Sequence, residues 1–250
     1  MAVSIKSARE IELMREAGKR LAHVHQELEA MIAPGISTWE IDAKGEKLIR
    51  DCGCIPNFLH YNGYPASICV SVNDEVVHGI PRKDRYLKEG DIVSLDAGLI
   101  YKGYHSDAAR THAVGKVSTE AQKLMDVTKQ SFFEGIKMAK EGQHLHDISR
   151  AIEEYVTPYG YGIVRDLVGH GIGTALHEDP QIPNYAQKRR GVRLQAGMTL
   201  AIEPMINAGT WQVRFLRDDW TVVTEDGSLS AHYENTILIT DGEPEILTLY

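Results

Sequence analysis

Apolar residues recur at helical spacing in four stretches of the chain, and strand-like runs fill the space between them. In the first stretch Ser7 and Glu10 have the spacing of a capping box, and Ile11, Met14, Leu21, Val24, Leu28 and Met31 fall on one face. Pro34-Gly35 predicts where this helix stops. Ser37 and Glu40 repeat the capping signal and open a second helix carrying Ile41, Leu48 and Cys52. From about Ser67 to Val114 the chain reads as strands, with turns at Gly79, Gly90, Gly98 and Gly103. The pattern then restarts. Ser118 predicts the cap of a long helix through Leu124, Phe132, Ile136 and Ala139, ending at Glu141-Gly142. A fourth helix through Leu145, Ile148, Ile152 and Tyr155 closes near Pro158 and Gly160, and the rest reads as strands and turns.

The two halves share more than element order. GDIVSLDAG (90–98) and GMTLAIEPM (197–205) both begin with glycine, run through a strand-like stretch and place a carboxylate seventh: Asp96 and Glu203. The caps Ser7 and Ser118 are offset by a similar distance. This predicts a duplicated α+β unit of two helices and an antiparallel sheet, with halves of roughly 1–115 and 116–250. No Ser/Gly-rich linker divides them, so one domain on one continuous sheet platform is expected.

Composition narrows the class. At 250 residues the chain can bury a real core, and 43% hydrophobic with 25% charged residues is ordinary for a globular protein. A net charge of -8 argues against a nucleic-acid binder. Cys52, Cys54 and Cys69 form no paired framework, which fits a reducing compartment. The N-terminal residues turn charged and amphipathic at once, unlike a signal peptide, and no stretch has the length to span a bilayer. The cytoplasm is the expected location.

Five potential metal ligands then stand out on separated islands. Asp96 and Asp107 flank the hairpin DAGLIYKGYHSD, His170 lies in VGHGIG, and Glu203 and Glu234 lie in MTLAIEPMI and SAHYENTILI. If the chain reverses at Tyr101-Lys102, Asp96 and Asp107 face each other directly across the hairpin. Bare, they would repel and one pKa would rise; a divalent cation removes the conflict. Glu203 is a lone acid in an apolar strand, which predicts a partner. Gly169 and Gly171 would let the backbone near His170 approach a metal or substrate. His78 and His177 complete the set, while His60, His105, His112 and His232 stay undecided. Such an oxygen-rich set with one imidazole suits manganese, iron, cobalt or zinc, and a pair of such ions activates water for hydrolysis.

Residues 73–81 (NDEVVHGIP), 90–110, 168–180 (VGHGIGTALHEDP), 197–207 and 218–237, in this order, closely resemble type I methionine aminopeptidase. The resemblance implies the pita-bread fold, a pseudo-twofold antiparallel sheet with two pairs of helices on its outer face. It implies removal of N-terminal methionine from nascent proteins and peptides when the second residue is small. Asp96 and Asp107 would bind one divalent cation and Asp107, His170, Glu203 and Glu234 the other. Glu203 would shuttle the proton, His177 would stabilise the oxyanion and His78 would contact the substrate amide. The methionine pocket would comprise Phe58, Tyr61, Tyr64, Cys69, Leu176 and Trp220. Phe58 and Leu176 depart from many relatives, which carry a smaller residue at the first position and an aromatic at the second. A monovalent cation near Asn73 and Ser230, transient association with the ribosome and a monomeric state are also implied. Only 25 residues separate His177 from Glu203, which favours the short bacterial-style form over type II enzymes. Prolidases of the same fold carry an extra N-terminal domain for which this length leaves no room. A catalytically dead relative would have lost ligands, and all five are present.

Overall fold

The computed structural model describes residues 3–249. Its four helices are α1 (Ala8–Glu29), α2 (Thr38–Asp51), α3 (Thr119–Ile136) and α4 (Leu145–Val156). Ser7 and Ser37 close reciprocal capping boxes with Glu10 and Glu40, and the Ser118 hydroxyl accepts from Ala121 N–H at 3.1 Å. Helix α3 stops at Ile136, short of the expected Glu141-Gly142. The intervening residues turn so that Gly142 N–H can donate to Leu194 O at 3.0 Å, a long-range backbone bond that outweighs local helical preference.

Nine strands form the main sheet. Along its centre the strands Ile92–Tyr101, Tyr104–Ala113, Glu234–Leu238 and Thr199–Ile202 are joined by antiparallel ladders in that order. The pseudo-twofold relation lies between the two middle strands. Asp107 and Glu234 sit on these inner strands, Asp96 sits on the outer neighbour of the first, and Glu203 directly follows the outer neighbour of the second.

The platform is not one continuous sheet. Two three-stranded sheets accompany it, one of Gly162–Ile163, Met205–Asn207 and Ser230–His232, the other of Glu75–Val77, Val213–Phe215 and Val222–Thr224. The chain leaves the main ladder at Glu203-Pro204, where proline has no N–H to donate. Glu203 thus occupies a break between two strands, not a strand interior.

The hairpin register also differs from expectation. Tyr101 pairs with Tyr104, Gly98 with Asp107 and Asp96 with Ala109. Lys102 and Gly103 form the two-residue turn, both with positive φ (50° and 86°), the conformation a tight hairpin of this hand requires. Asp96 and Asp107 therefore share a face as a diagonal pair, not as directly opposed residues.

Each helix pair covers its own hydrophobic cluster. Leu21, Val24 and Leu28 of α1 and Ile41 and Ile49 of α2 pack on Val70, Leu95 and Leu99. Leu124 and Phe132 of α3 and Ile148 and Ile152 of α4 pack on Leu200, Ile206 and Ile237. All of these side chains are fully buried, each contributing about 1.5–3 kcal/mol of burial free energy.

Gly169 and Gly171 serve packing between strands and not approach to a ligand. A Cβ at Gly169 would lie 2.4 Å from Ala201 O, and one at Gly171 would lie 2.2 Å from Asp179 O. Backbone on both sides leaves no room to shift. Gly171→Ala is expected to cost about 1–3 kcal/mol in denaturant unfolding. Gly242→Ala, whose added Cβ would come no nearer than 3.8 Å to Thr240 Oγ1, is the neutral control. Equal stability of the two variants would contradict this packing.

Candidate metal centre

Every residue nominated from the sequence for catalysis, for the methionine pocket or for the divalent cations lines one cavity of about 250 Å³, and Asn73 and Ser230 lie outside it. This volume is below the roughly 300–1,000 Å³ of pockets that take drug-sized ligands, so the space suits one side chain and the adjoining peptide. One wall is polar. Asp107, His170 and Glu234 each bring a potential ligand atom within 4.8 Å of the others. His170 Nε2 lies 3.5 Å from Glu203 Oε1. Asp96 joins the cluster from the neighbouring strand, with Cys69 directly across its ladder.

Backbone interactions hold these groups. Asp107 N–H donates to Thr236 Oγ1 at 3.1 Å, and the same hydroxyl donates to Asp107 O at 2.8 Å. This locks the Asp107 strand to the Glu234 strand. The His170 ring Nδ1 sits 2.9 Å from Gly171 O. A carbonyl can only accept, so Nδ1 carries the proton and Nε2 presents its lone pair to the site, the form in which histidine binds a metal. Asn184 Nδ2 donates to Glu203 O at 3.1 Å, fixing the strand break.

The electrostatics are those of a cluster lacking a positive partner. Burial pushes Asp96 up to about 7. Burial and then the charges of Asp96 and Glu203 raise Asp107 well above the carboxylate range. Burial, followed by Asp96, does the same to Glu203. For Glu234 burial is again largest, reinforced by Asp107, Glu203 and Asp96 and partly opposed by Arg110. The carboxylate oxygens Asp96 Oδ1, Asp107 Oδ1 and Glu234 Oε1 are buried without a hydrogen-bond partner. Buried acceptors from several acids, with an imidazole lone pair beside them, fit divalent cations.

The opposite wall is aromatic. Tyr64 and Trp220 meet edge to face with ring centroids 5.1 Å apart, and Tyr64 OH is pinned by donation to Gly79 O at 2.9 Å. Phe58, Leu176 and Cys69 complete a buried apolar face. His177 lies between the walls, its ring 4.3 Å from that of His170 and its Nδ1 2.7 Å from Tyr61 OH. His78 adopts a left-handed backbone with φ of 59°, a costly conformation for a non-glycine residue that concentrates at functional sites. Burial lowers His78 to about 4 and also lowers His177, so both are neutral near pH 7.

Two residues near the centre were not assigned from the sequence. The Arg110 guanidinium donates to Glu234 O, to Asn235 Oδ1 at 2.6 Å and to Thr248 O at 3.2 Å. His232, 1% exposed, has Nε2 3.8 Å from Glu234 Oε2, and burial followed by His78 and Arg110 lowers it to about 3. A signal existed for His232, since it precedes Glu234 by two residues in extended chain. For Arg110 only pairing across strands reveals the contact.

Comparison with known proteins places the chain among peptidases. Residues 12–241 match metallopeptidase family M24. The chain is 55% identical over 247 residues to a methionine aminopeptidase of Clostridium acetobutylicum, covering 99% of both chains. It is 52% identical over 243 residues to methionine aminopeptidase 1 of Bacillus subtilis, covering 97% of this chain and 98% of that one. The crystal structure of methionine aminopeptidase from Thermotoga maritima superposes with a TM-score of 0.97 at 46% identity, covering both chains fully. A prolidase from Pyrococcus furiosus shares the fold, with a TM-score of 0.78 at 24% identity over 98% of this chain and 65% of that one.

A carboxyl whose pKa is raised by folding stabilises the folded chain while protonated. That contribution is complete below the unfolded value of about 4 and is lost as pH rises through the folded value, about 7 for Asp96. The buried histidines have lowered values and act in the opposite direction, but only below their unfolded value of about 6.5. Between pH ~6.5 and ~8.5 the carboxylates therefore dominate. The melting temperature of metal-stripped protein should fall across this window, and that of manganese-loaded protein should not. Parallel curves for the two forms would contradict the cluster's role.

Proposed function

The chain belongs to metallopeptidase family M24, and on that basis we infer that it removes N-terminal methionine from peptides by metal-dependent hydrolysis. The observation that carries this reading is the convergence of acids from both halves on a cavity whose other wall is aromatic. The substrates are peptide N-termini, and the cofactor is divalent metal.

We further propose two cations per chain: manganese, iron, cobalt or zinc. Asp96 and Asp107 would hold one, and Asp107, His170, Glu203 and Glu234 the other, with Asp107 and Glu234 shared. Bound there, the cations would supply an activated water and polarise the peptide carbonyl. Glu203, whose Oε1 lies 3.5 Å from His170 Nε2, would accept a proton and pass it to the leaving amine. His177 would donate from Nε2 to the developing oxyanion, with Tyr61 OH, 2.7 Å from its Nδ1, donating to that nitrogen in the same tautomer. His78 would hold the substrate amide near the scissile bond.

The methionine side chain would lie against Phe58, Tyr61, Tyr64, Cys69, Leu176 and Trp220, aromatic edges and a thiol suited to a thioether. The cavity's size supports a small second residue. Residues 1–250 are read as one catalytic domain with halves of roughly 1–115 and 116–250, a division supported by the ladder joining the Tyr104–Ala113 and Glu234–Leu238 strands. A monovalent cation beside Asn73 and Ser230 is supported by the 2.9 Å bond from Ser230 N–H to Asn73 O, which brings these residues together. Among the described residues no helix is long and apolar enough to cross a membrane. We place the protein, as a monomer, in the cytoplasm, acting on nascent chains in transient contact with the ribosome and binding no nucleic acid. Its free cysteines and net charge of -8 support this placement.

Glu203→Gln should lower kcat on Met-Ala-Ser by roughly 10²–10⁴-fold with little change in melting temperature. Retained turnover would remove Glu203 from the proton path. Peptides beginning Met-Gly or Met-Ala should be cleaved by the metal-loaded enzyme and those beginning Met-Lys should not. The reverse order, or release of Xaa-Pro products instead, would contradict the proposed specificity.

A further inference from the structure

His232 stands behind the carboxylate cluster and has no part in the roles above. It ends the strand Ser230–His232 and is buried, and neither ring nitrogen has a hydrogen-bond partner. Its backbone is clamped on both sides: His232 N–H donates to Thr111 Oγ1 at 2.8 Å, and the Thr111 hydroxyl donates to His232 O at 2.8 Å. Ladder pairing with Met205 fixes it further. The ring therefore has little freedom to go elsewhere. It stands with Asp96 and Glu234, one nitrogen and two carboxylate oxygens all within 4.8 Å of one another.

Glu234 offers its two oxygens to different neighbours. Oε2 faces His232 Nε2 at 3.8 Å, while Oε1 is buried with no hydrogen-bond partner. The first separation exceeds an N–H···O bond by about 1 Å, which a small side-chain rotation closes. A buried imidazole with both nitrogens unpartnered is rare and calls for an explanation.

We propose that His232 is a positioning residue for Glu234, donating from Nε2–H to Glu234 Oε2 and so holding the carboxylate in the orientation that presents it to the cations. The proposal rests on the reading of Glu234 as a cation ligand. A neutral imidazole has one N–H, and spending it on Oε2 orients the carboxylate while adding to its negative charge no competing cation. Hydrogen bonds of this kind to ligating carboxylates set metal affinity, typically by 10–100-fold. His170, by contrast, directs its N–H to a backbone carbonyl and its lone pair to the site. The two imidazoles would thus have opposite polarity toward the centre.

The test is calorimetric titration of metal-stripped wild type, His232→Ala and His232→Gln with manganese, together with the melting temperature of each metal-free protein. His232→Ala should weaken manganese binding about 10–100-fold. His232→Gln, whose amide N–H can reach the same oxygen, should stay within about threefold of wild type. His232→Leu, which also lacks the donor, replaces the alanine variant if that fails to fold. Wild-type affinity in His232→Ala or His232→Leu would overturn the proposal, with a lowered metal-free melting temperature then marking a purely structural role. A His232→Gln variant as weak as His232→Ala would also overturn it, since a direct ligand, not a donor, would explain that loss. Failure of wild type itself to bind manganese would instead refute the reading of the centre on which the proposal depends.

Discussion

The burial of four neighbouring carboxylates is the constraint around which the rest of this structure is arranged. Two unit charges 4 Å apart interact by about 4 kcal/mol at the effective dielectric of a protein surface, and the interaction strengthens with burial. Burial shifts Asp96, Asp107, Glu203 and Glu234 upward in pKa, and neighbouring acids add to the shift for Asp107, Glu203 and Glu234. Arg110 lowers Glu234, but its guanidinium is directed to backbone oxygens and to Asn235 behind the cluster, not into it. The arrangement needs positive charge that the protein does not supply, and divalent metal supplies it.

The fold meets this need by pairing neighbouring strands of one sheet. Two adjacent inner strands carry Asp107 and Glu234 as a diagonal pair, Asp96 comes from the outer neighbour of one, and Glu203 from the break after the outer neighbour of the other. Helix pairs bury the other side of the sheet over separate hydrophobic clusters, so the ligand positions rest on rigid strands. The departures from regularity fall where the site requires them. Pro204 ends a ladder beside Glu203, and His78 holds a left-handed backbone next to the cavity. Strand geometry sets the acids, and irregular backbone sets the groups that meet substrate.

Much of this was legible in the sequence because its signals are local. Capping boxes at Ser7 and Ser37 located helix starts to the residue, and the seventh-place acids Asp96 and Glu203 both line the cavity. What was misread depended on partners distant in the chain. The hairpin register turned on Lys102 and Gly103 both adopting positive φ, which moved the pairing by two in residue sum and made the two aspartates diagonal. The glycines around His170 looked like access for a ligand, but Ala201 O and Asp179 O occupy that space. The end of α3 was set by Leu194, far along the chain. His232 stayed undecided because sequence alone does not reveal that both its nitrogens are buried beside Glu234.

The most direct test of a shared, charge-compensated centre is the electron paramagnetic resonance spectrum of metal-stripped protein titrated with manganese, read beside the amount bound. The account predicts two manganese ions per chain and, as the second binds, the signature of an exchange-coupled pair bridged by carboxylate. Two magnetically isolated ions, or saturation without any coupled signal, would contradict convergence of the four acids on one centre.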